Sequence, residues 1–363
     1  MKDVTRRDFL LDAAIGAGAL GAGALSASCS VTSSQFQYGY LFVRSIPTWP
    51  GAAPLPPTRV YPDMPPATVA IAGVKGSIED AVREAVEAAG GMAEFEPGQR
   101  VFIKPNMVSP KPKVTTNPEV VRAVIRLVKE RGCHAMVGDR SSFDDLEVAR
   151  CGFEQVCKEE GAELYLWFQH EYVRFFPKQR HWSEGFRMPK ILTEVDHWIN
   201  VPILKNHELI GAEYTCCLKA FVGVCHPEDR FQKGDNGLHQ INIGEKIAEL
   251  NLCSRPTLNI VDATTMLLRG GPGGHDPKTS LRVKADLVLA GRDRVATDSV
   301  ALAAMKLHAA ENKVKRPYVT KSVWDQVQIY RASELGIGQA RPEKITIEDI
   351  KVPRFDEIKA NWA

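Results

Sequence analysis

Between residues 69 and 307 the chain alternates short apolar runs with amphipathic stretches, and most of the runs end on a charged or amide side chain. Residues 69–72, 100–103, 134–137, 164–168, 195–201, 258–261 and 285–290 have the length and apolar content of buried strands. Helical patterns separate several of them. Ser77 caps a helix over 78–89 that carries Glu79 and Asp80 in its first turn. Asn117 and Pro118 are an N-cap and a first helical residue, followed by the stripe Val120, Val121, Val124, Ile125, Leu127 and Val128 and a stop at Gly132. Further helices are expected over 145–160 and 294–307. Strands alternating with helices predict an α/β fold, a largely parallel sheet flanked by helices. The aromatic, basic stretch 170–194 breaks the pattern and is expected as an inserted β-rich segment, a hairpin or flap. A division into two lobes is the alternative.

The polar residues that close the runs are the functional signal. Lys104 and Asn106, Asp139 and Ser141, Lys205 and His207, and Asp262 each follow an apolar run directly. In an open parallel sheet such ends share one edge, where ligand crevices form. Thr115, Thr116 and the amides at the start of the helix at Pro118 offer neutral donors and a positive dipole end. Lys104, Lys205 and Lys219 add positive charge. The set predicts a small anionic ligand, a carboxylate or phosphate. His207 is the simplest proton carrier because imidazole titrates near neutrality. A lysine whose neutral form is favoured by burial and by other lysines is the alternative. Catalytic candidates are therefore His207, Lys205, Lys104 and Asp139. Ligand-binding candidates are Asn106, Thr115, Thr116, Ser141, Lys219 and Asp262. His239 precedes a helix and is a weaker candidate. Asp298 shares a helical stripe with Val295 and Leu302 and should face inward, where a buried acid needs a partner; one of the lysines is the expected one.

Several chemistries are absent from the pattern. No Gly-x-Gly-x-x-Gly follows a strand, no P-loop is present and no Gly-x-Ser-x-Gly elbow occurs. The cofactor is left unknown, with no nucleotide-binding glycine motif and no Cys-x-x-Cys for a ferredoxin-type cluster. Cys216, Cys217, Cys225 and His226 lie close enough in sequence to be weak metal candidates, although free cysteines are more often small buried apolar residues. With Lys+Arg 46 against Asp+Glu 44, a net charge of +2 gives no basic field for nucleic acid.

The chain begins with an address. Arg6-Arg7 precede Phe9-Leu10, then a weakly apolar run of Ala, Gly, Ile and Leu over 13–25 and the small residues Ser26-Ala27-Ser28 before Cys29. This order resembles a twin-arginine export signal and predicts the periplasm or outer face of the envelope. The export machinery is then a partner. Cys29 is either a lipid-bearing residue, which would be the chain's membrane contact, or incidental beside a cut near Ala27 or Ser28. Eight prolines over 45–66 favour extended geometry. The expected division is a signal at 1–29, a Pro-rich linker at 30–66, an α/β domain at 67–345 and a C-terminal tail at 346–363.

Taken together, Val101-Phe-Ile-Lys104-Pro-Asn106, Thr115-Thr-Asn-Pro118-Glu-Val-Val, Val137-Gly-Asp139-Arg-Ser141-Ser, Asn200-Val-Pro202-Ile-Leu-Lys205-Asn-His207, Cys217-Leu-Lys219, Glu249-Leu-Asn251, Arg255-Pro256 through Asp262 and Ala290 through Asp298 resemble the domain-of-unknown-function family 362. The likeness runs from about Val69 to Gly338. Asn117 stands where the family commonly has His, and Asn206 where it commonly has Thr. Some relatives carry an iron–sulfur segment whose cysteines this chain lacks, so electron transfer does not carry over. A distant likeness to lactate-racemase-type proteins is one of fold alone. The sequence leaves open an exported enzyme for a small anion, an envelope binding protein holding a ligand or metal without turnover, and an interaction protein using the aromatic stretch 165–182.

Overall fold

The computed structural model describes residues 58–362 apart from 109–113, 140–148, 178–180, 210, 233, 235 and 272–278. In chain order its elements begin with β1 (Ala67–Gly73), α1 (Ile78–Ala88), β2 (Arg100–Pro105), α2 (Pro118–Glu130), β3 (His134–Val137), α3 (Phe153–Glu160) and β4 (Glu163–Leu164). The hairpin β5 (Tyr172–Phe175) and β6 (Phe186–Pro189) follows, then β7 (His197–Val201), β8 (Ile203–Leu209) and β9 (Ala212–Thr215). Three short helices come next, α4 (Cys217–Ala220), α5 (Pro227–Phe231) and α6 (Ile243–Leu250). The chain closes with β10 (Leu258–Arg269), β11 (Leu281–Gly291), α7 (Arg294–Glu311), α8 (Pro317–Thr320), α9 (Val327–Glu334), β12 (Ile345–Ile350) and α10 (Phe355–Trp362).

The main sheet has the order β12-β1-β11-β10-β7-β2-β3-β4, with β8 pairing β10 and β9 pairing β8. Along that order every pairing is parallel except the two made by β11, which runs against both β1 and β10. The α/β expectation therefore holds, with one reversed strand in the middle. The 170–194 stretch is a separate two-stranded antiparallel hairpin, as expected of an insertion.

Alternation along each strand divides the core into two layers. Val101 and Ile103 pack with α1, α2 and α3, whereas Phe102 faces the layer that contains α7 and the hairpin. Ser77 accepts from Asp80 N at the start of α1, and Asn117 accepts from Glu119 N at the start of α2, the two caps the sequence announces. In α7, Asp293 accepts from the amides of Val295 and Ala296.

Several boundaries shift. The helix expected over 145–160 is seen from Phe153, residues 145–148 lying outside the described part, and the strand expected over 164–168 is only Glu163–Leu164. β10 does not stop at Asp262 but continues to Arg269, because β8 replaces β7 as its neighbour from Asp262 onward. Residues 346–363, expected as a tail, contribute to the fold: β12 pairs with β1, and Trp362 in α10 is buried and donates to Ser299 Oγ on α7 at 2.8 Å. The Pro-rich segment from 58 to 66 is a strap. Thr58 N donates to Glu334 at 2.8 Å, Arg59 stacks over Tyr330 at 3.7 Å, and Gln339 Nε2 donates to the carbonyls of Met64 and Pro65. The aromatic stretch is interior, since Trp167, Tyr172, Trp182 and Phe186 are all buried in the core. Phe175 and Phe176 of the same stretch are half-buried. Among the described residues no helix is long and apolar enough to cross a membrane.

Candidate functional site

Because β2, β3, β7 and β10 run in the same direction, their carboxyl ends lie along one edge, as strand-end reasoning requires. β2 delivers Lys104 there, and Asp139 follows β3 after a single glycine. The two form a buried ion pair, Lys104 Nζ to Asp139 Oδ1 at 2.9 Å. The other carboxylate oxygen accepts from Met107 N at 2.9 Å. Burial lowers the Lys104 pKa, and Asp139 counters the shift. Gly223 lies directly over this pair. A Cβ there would fall far inside contact distance of Asp139 Oδ1 and 3.1 Å from Lys104 Nζ. Gly223→Ala is therefore expected to destabilise the fold by about 1–3 kcal/mol through overpacking, read by urea denaturation.

Lys205 and His207 lie within β8 rather than after a strand, carried past the ends of β2 and β3 by the β7–β8 step at Pro202. Pro202 supplies no amide, but its carbonyl accepts from Asp262 N at 2.8 Å, where β10 changes partner. Lys205 Nζ donates to Val114 O at 3.0 Å.

Lys219 comes from α4, a single turn positioned by three buried side chains. Asp298 accepts from Cys217 N at 2.6 Å and from Leu218 N at 3.4 Å. Asn200 Nδ2 donates to Cys217 O at 3.1 Å, and Asn251 Nδ2 donates to Leu218 O at 2.9 Å. Asp298 also accepts from Tyr214 Oη at 3.2 Å. The expectation that a lysine answers Asp298 is thus corrected: backbone amides at a helix start satisfy it. Burial still raises its pKa to about 6.

These positions bring Lys205, His207 and Lys219 into one electrostatic cluster, joined by Arg230 of α5 and by His239. Lys219 acts on both Lys205 and His207, His239 acts on His207, and Arg230 acts on Lys219 and on Lys104. Lys104, Lys205, Lys219 and His207 are 0%, 2%, 5% and 9% exposed. Burial first and positive neighbours second push both Lys205 and Lys219 down to about 7. The same causes hold His207 well below its usual value. His207 is therefore neutral near pH 7, and its Nδ1 is buried without a hydrogen-bond partner among the described residues. His239 is pushed down to about 4, and its Nδ1 lies 3.2 Å from the Arg230 carbonyl. A carbonyl only accepts, so Nδ1 carries the hydrogen and Nε2 is left as an acceptor.

The remaining candidates serve the scaffold. Asn106 Oδ1 accepts from Ile203 N at 3.0 Å, while its amide donates to Thr116 Oγ1 at 2.8 Å. Thr116 in turn donates to Val201 O at 2.8 Å, and Thr115 is buried beside it with its own partner. Asp262 accepts from Asn117 N and Thr264 Oγ1 at 2.8 and 2.7 Å. The anion at the start of α2 is thus the protein's own carboxylate. Asn106, Thr116 and Asp262 form a latch joining β2, α2 and the β7–β8 step. Ser141 lies outside the described residues.

The proposed metal quartet does not assemble. Cys216 and Cys217 group with Asp298, their donor atoms within 4.8 Å of one another. His226 Nδ1 instead accepts from Glu228 N at 3.2 Å, and the Cys225 thiol approaches the His226 carbonyl at 3.7 Å. Burial pushes the Cys217 thiol up to about 11, and Asp298 is already occupied by amides. This trio fits a helix cap better than a metal site.

Arg230 escaped the sequence reading, since it sits in a one-turn helix with no strand before it. His239 was visible there only as a histidine ahead of a helix. Gly223 leaves a faint trace, a glycine in the apolar run Phe221-Val-Gly-Val224.

The described residues define an α/β protein whose largely parallel sheet carries a buried, lysine-rich cluster at its carboxyl edge. The family model described as a domain of unknown function (DUF362) matches residues 101–303, and the chain belongs to that family. Lys104, Asp139, Lys205, His207, Lys219, Arg230 and His239 all fall within the matched span. The chain is also similar to the thylakoid-associated protein sll1697 of Synechocystis sp., 26% identical over 287 residues, covering 77% of this chain and 84% of that one.

Proposed function

We propose that the protein is an enzyme acting on a small carboxylate or phosphate held at Lys219, with Lys205 or Lys219 rather than His207 moving the proton. The observation that carries this reading is Lys219. Its ammonium is buried, has no hydrogen bond or ion pair among the described residues, and faces Arg230, Lys205, His207 and His239. Buried charges in proteins are normally paired. An anionic ligand would complete this one. An amine titrating near 7 is matched to proton transfer at neutral pH, whereas an imidazole held neutral is suited to orienting a ligand through Nδ1.

Thermal unfolding with sulfate, inorganic phosphate, oxalate and succinate tests the site. The wild type is expected to gain stability with at least one of them, and Lys205→Ala and His207→Ala are expected to fold but lose that gain. An unchanged response in both variants would remove the reading. Proton NMR of the stabilising organic anion during incubation separates turnover from simple retention.

The start of the chain supports export before use. Arg6-Arg7 and the Ala/Gly-rich run to Leu25 match a twin-arginine route to the periplasm or outer envelope face, and the residues from 58 onward strap onto α9 as a leash from such a segment would. The thylakoid association in the relative's name accords with a place beside a membrane, which a lipid on Cys29 would provide.

A further inference from the structure

We propose that this cluster binds its anion together with a proton, Lys205 and Lys219 becoming fully charged only when an anion lies against them. The inference rests on the anion site proposed above and adds to it the ligand's charge class and the pH dependence of its capture.

The argument begins with the groups that surround Lys219. On α7, Asp298 is turned to the amide of Cys217, and Arg294 to Asn251 O at 3.0 Å. On α6, Glu249 is held by His181, with its Nδ1 at 2.7 Å, and Lys246 donates to Gly237 O at 2.7 Å. On β9, Glu213 pairs with Lys321 at 2.7 Å. On α5, Glu228 and Asp229 are engaged by Arg187 at 2.5 and 2.9 Å. On α9, Arg331 pairs with Glu334 at 2.7 Å. The carboxylate at the edge itself, Asp139, is bound to Lys104. Each of these acids is thus engaged elsewhere, and what acts on Lys219 is Arg230. Lys219 in turn depresses Lys205, His207 and His239.

A buried ammonium with cationic neighbours loses its proton more readily than one in water. An anion reverses both causes, by supplying opposite charge and by accepting its hydrogen bonds. Binding therefore draws a proton from solvent, and by linkage the affinity must depend on pH. A dianion is favoured over a monoanion, because it answers both amines at once. In the free protein His207 and His239 hold a proton less readily than the lysines, so the amines take up the proton first.

Isothermal titration of the full-length protein with oxalate and with sulfate, both dianions from about pH 6 to pH 9, reads the proton directly when repeated in Tris and in Pipes. The expected result is a buffer-dependent heat equal to uptake of about one proton per anion near pH 7. Affinity should fall about tenfold per pH unit near pH 7 and more steeply above it, as both amines lose their protons in the free protein. His207→Gln should weaken binding yet keep the uptake. Binding whose heat is the same in both buffers overturns this inference and leaves the anion site standing. Loss of uptake in His207→Gln assigns the proton to the imidazole and also overturns it. Failure of every anion to bind the wild type removes the site and the inference together.

Discussion

Asp139→Asn is expected to destabilise the protein by about 3–5 kcal/mol near pH 7, the cost of leaving a buried charge without its partner. Asparagine keeps the volume and can still accept from Met107 N through a carbonyl oxygen, so the substitution isolates the carboxylate charge. What remains is Lys104, fully buried, with Arg230 as a positive neighbour and no counter-charge among the described residues. It must then either hold an unpaired ammonium in the interior or release its proton. The second route limits the loss. Burial already lowers the pKa of Lys104, and removing the opposing influence of Asp139 lowers it further. A depressed amine destabilises the fold fully below its folded pKa and progressively less as pH rises toward its ordinary value of about 10.5. The defect should therefore shrink between neutral and alkaline pH. Urea denaturation at several pH values measures it. A loss below about 1 kcal/mol at pH 7 would mean the pair is hydrated and not the closed base of the site. Lys104→Met in the same chain should recover much of the lost stability, since the stranded charge is then gone.

This pair also shows where sequence reading succeeds and where it stops. Lys104 and Asp139 were legible as polar residues closing apolar strands, because strand periodicity and the edge rule are local and topological facts. The caps at Ser77 and Asn117 were legible for the same reason: their side chains satisfy amides two or three residues away. That Lys104 and Asp139 spend their charges on each other depends on β2 and β3 being neighbours, a long-range fact. The hydrogen bonds of Asn106, Thr116 and Asp262 are long-range facts of the same kind. As residue types they suit ligand contacts, yet Asn106 and Thr116 answer Ile203 N and Val201 O at the step from β7 to β8, and the Asp262 carboxylate answers Asn117 N at the start of α2. Asp298 was correctly turned inward by helical stripe, but its partner proved to be the start of a single-turn helix too short to announce itself. The reversed direction of β11 was likewise hidden, since β10 and β11 together read as two buried runs either side of a Gly-rich loop.

Lys219→Met is expected to do the opposite of Asp139→Asn, raising the stability of the ligand-free protein by about 2–4 kcal/mol at pH 7 or below while removing its response to anions. Methionine keeps an unbranched apolar stem of similar length and needs no counter-charge, so the packing around α4 need not change. The gain has two physical sources. The buried ammonium of Lys219 is no longer taken out of water, and Lys205 loses the neighbour that helps hold its own proton affinity down. The sign with pH follows from the direction of the shift. The folded pKa of Lys219 lies at about 7, below its unfolded value of 10.5. Its penalty on folding is complete below the lower value and vanishes above the higher one. Wild type and variant should accordingly converge in stability between about pH 7 and pH 10, the difference being largest on the acid side. A structural lysine would give the reverse, a variant less stable at every pH. If Lys219→Met unfolds earlier than the wild type at pH 6, the ammonium has a partner in solution and the buried cluster is not built for an outside anion. If it unfolds later and no longer responds to oxalate, the residue destabilises the fold for the sake of a ligand, the trade expected where a buried charge is kept for function.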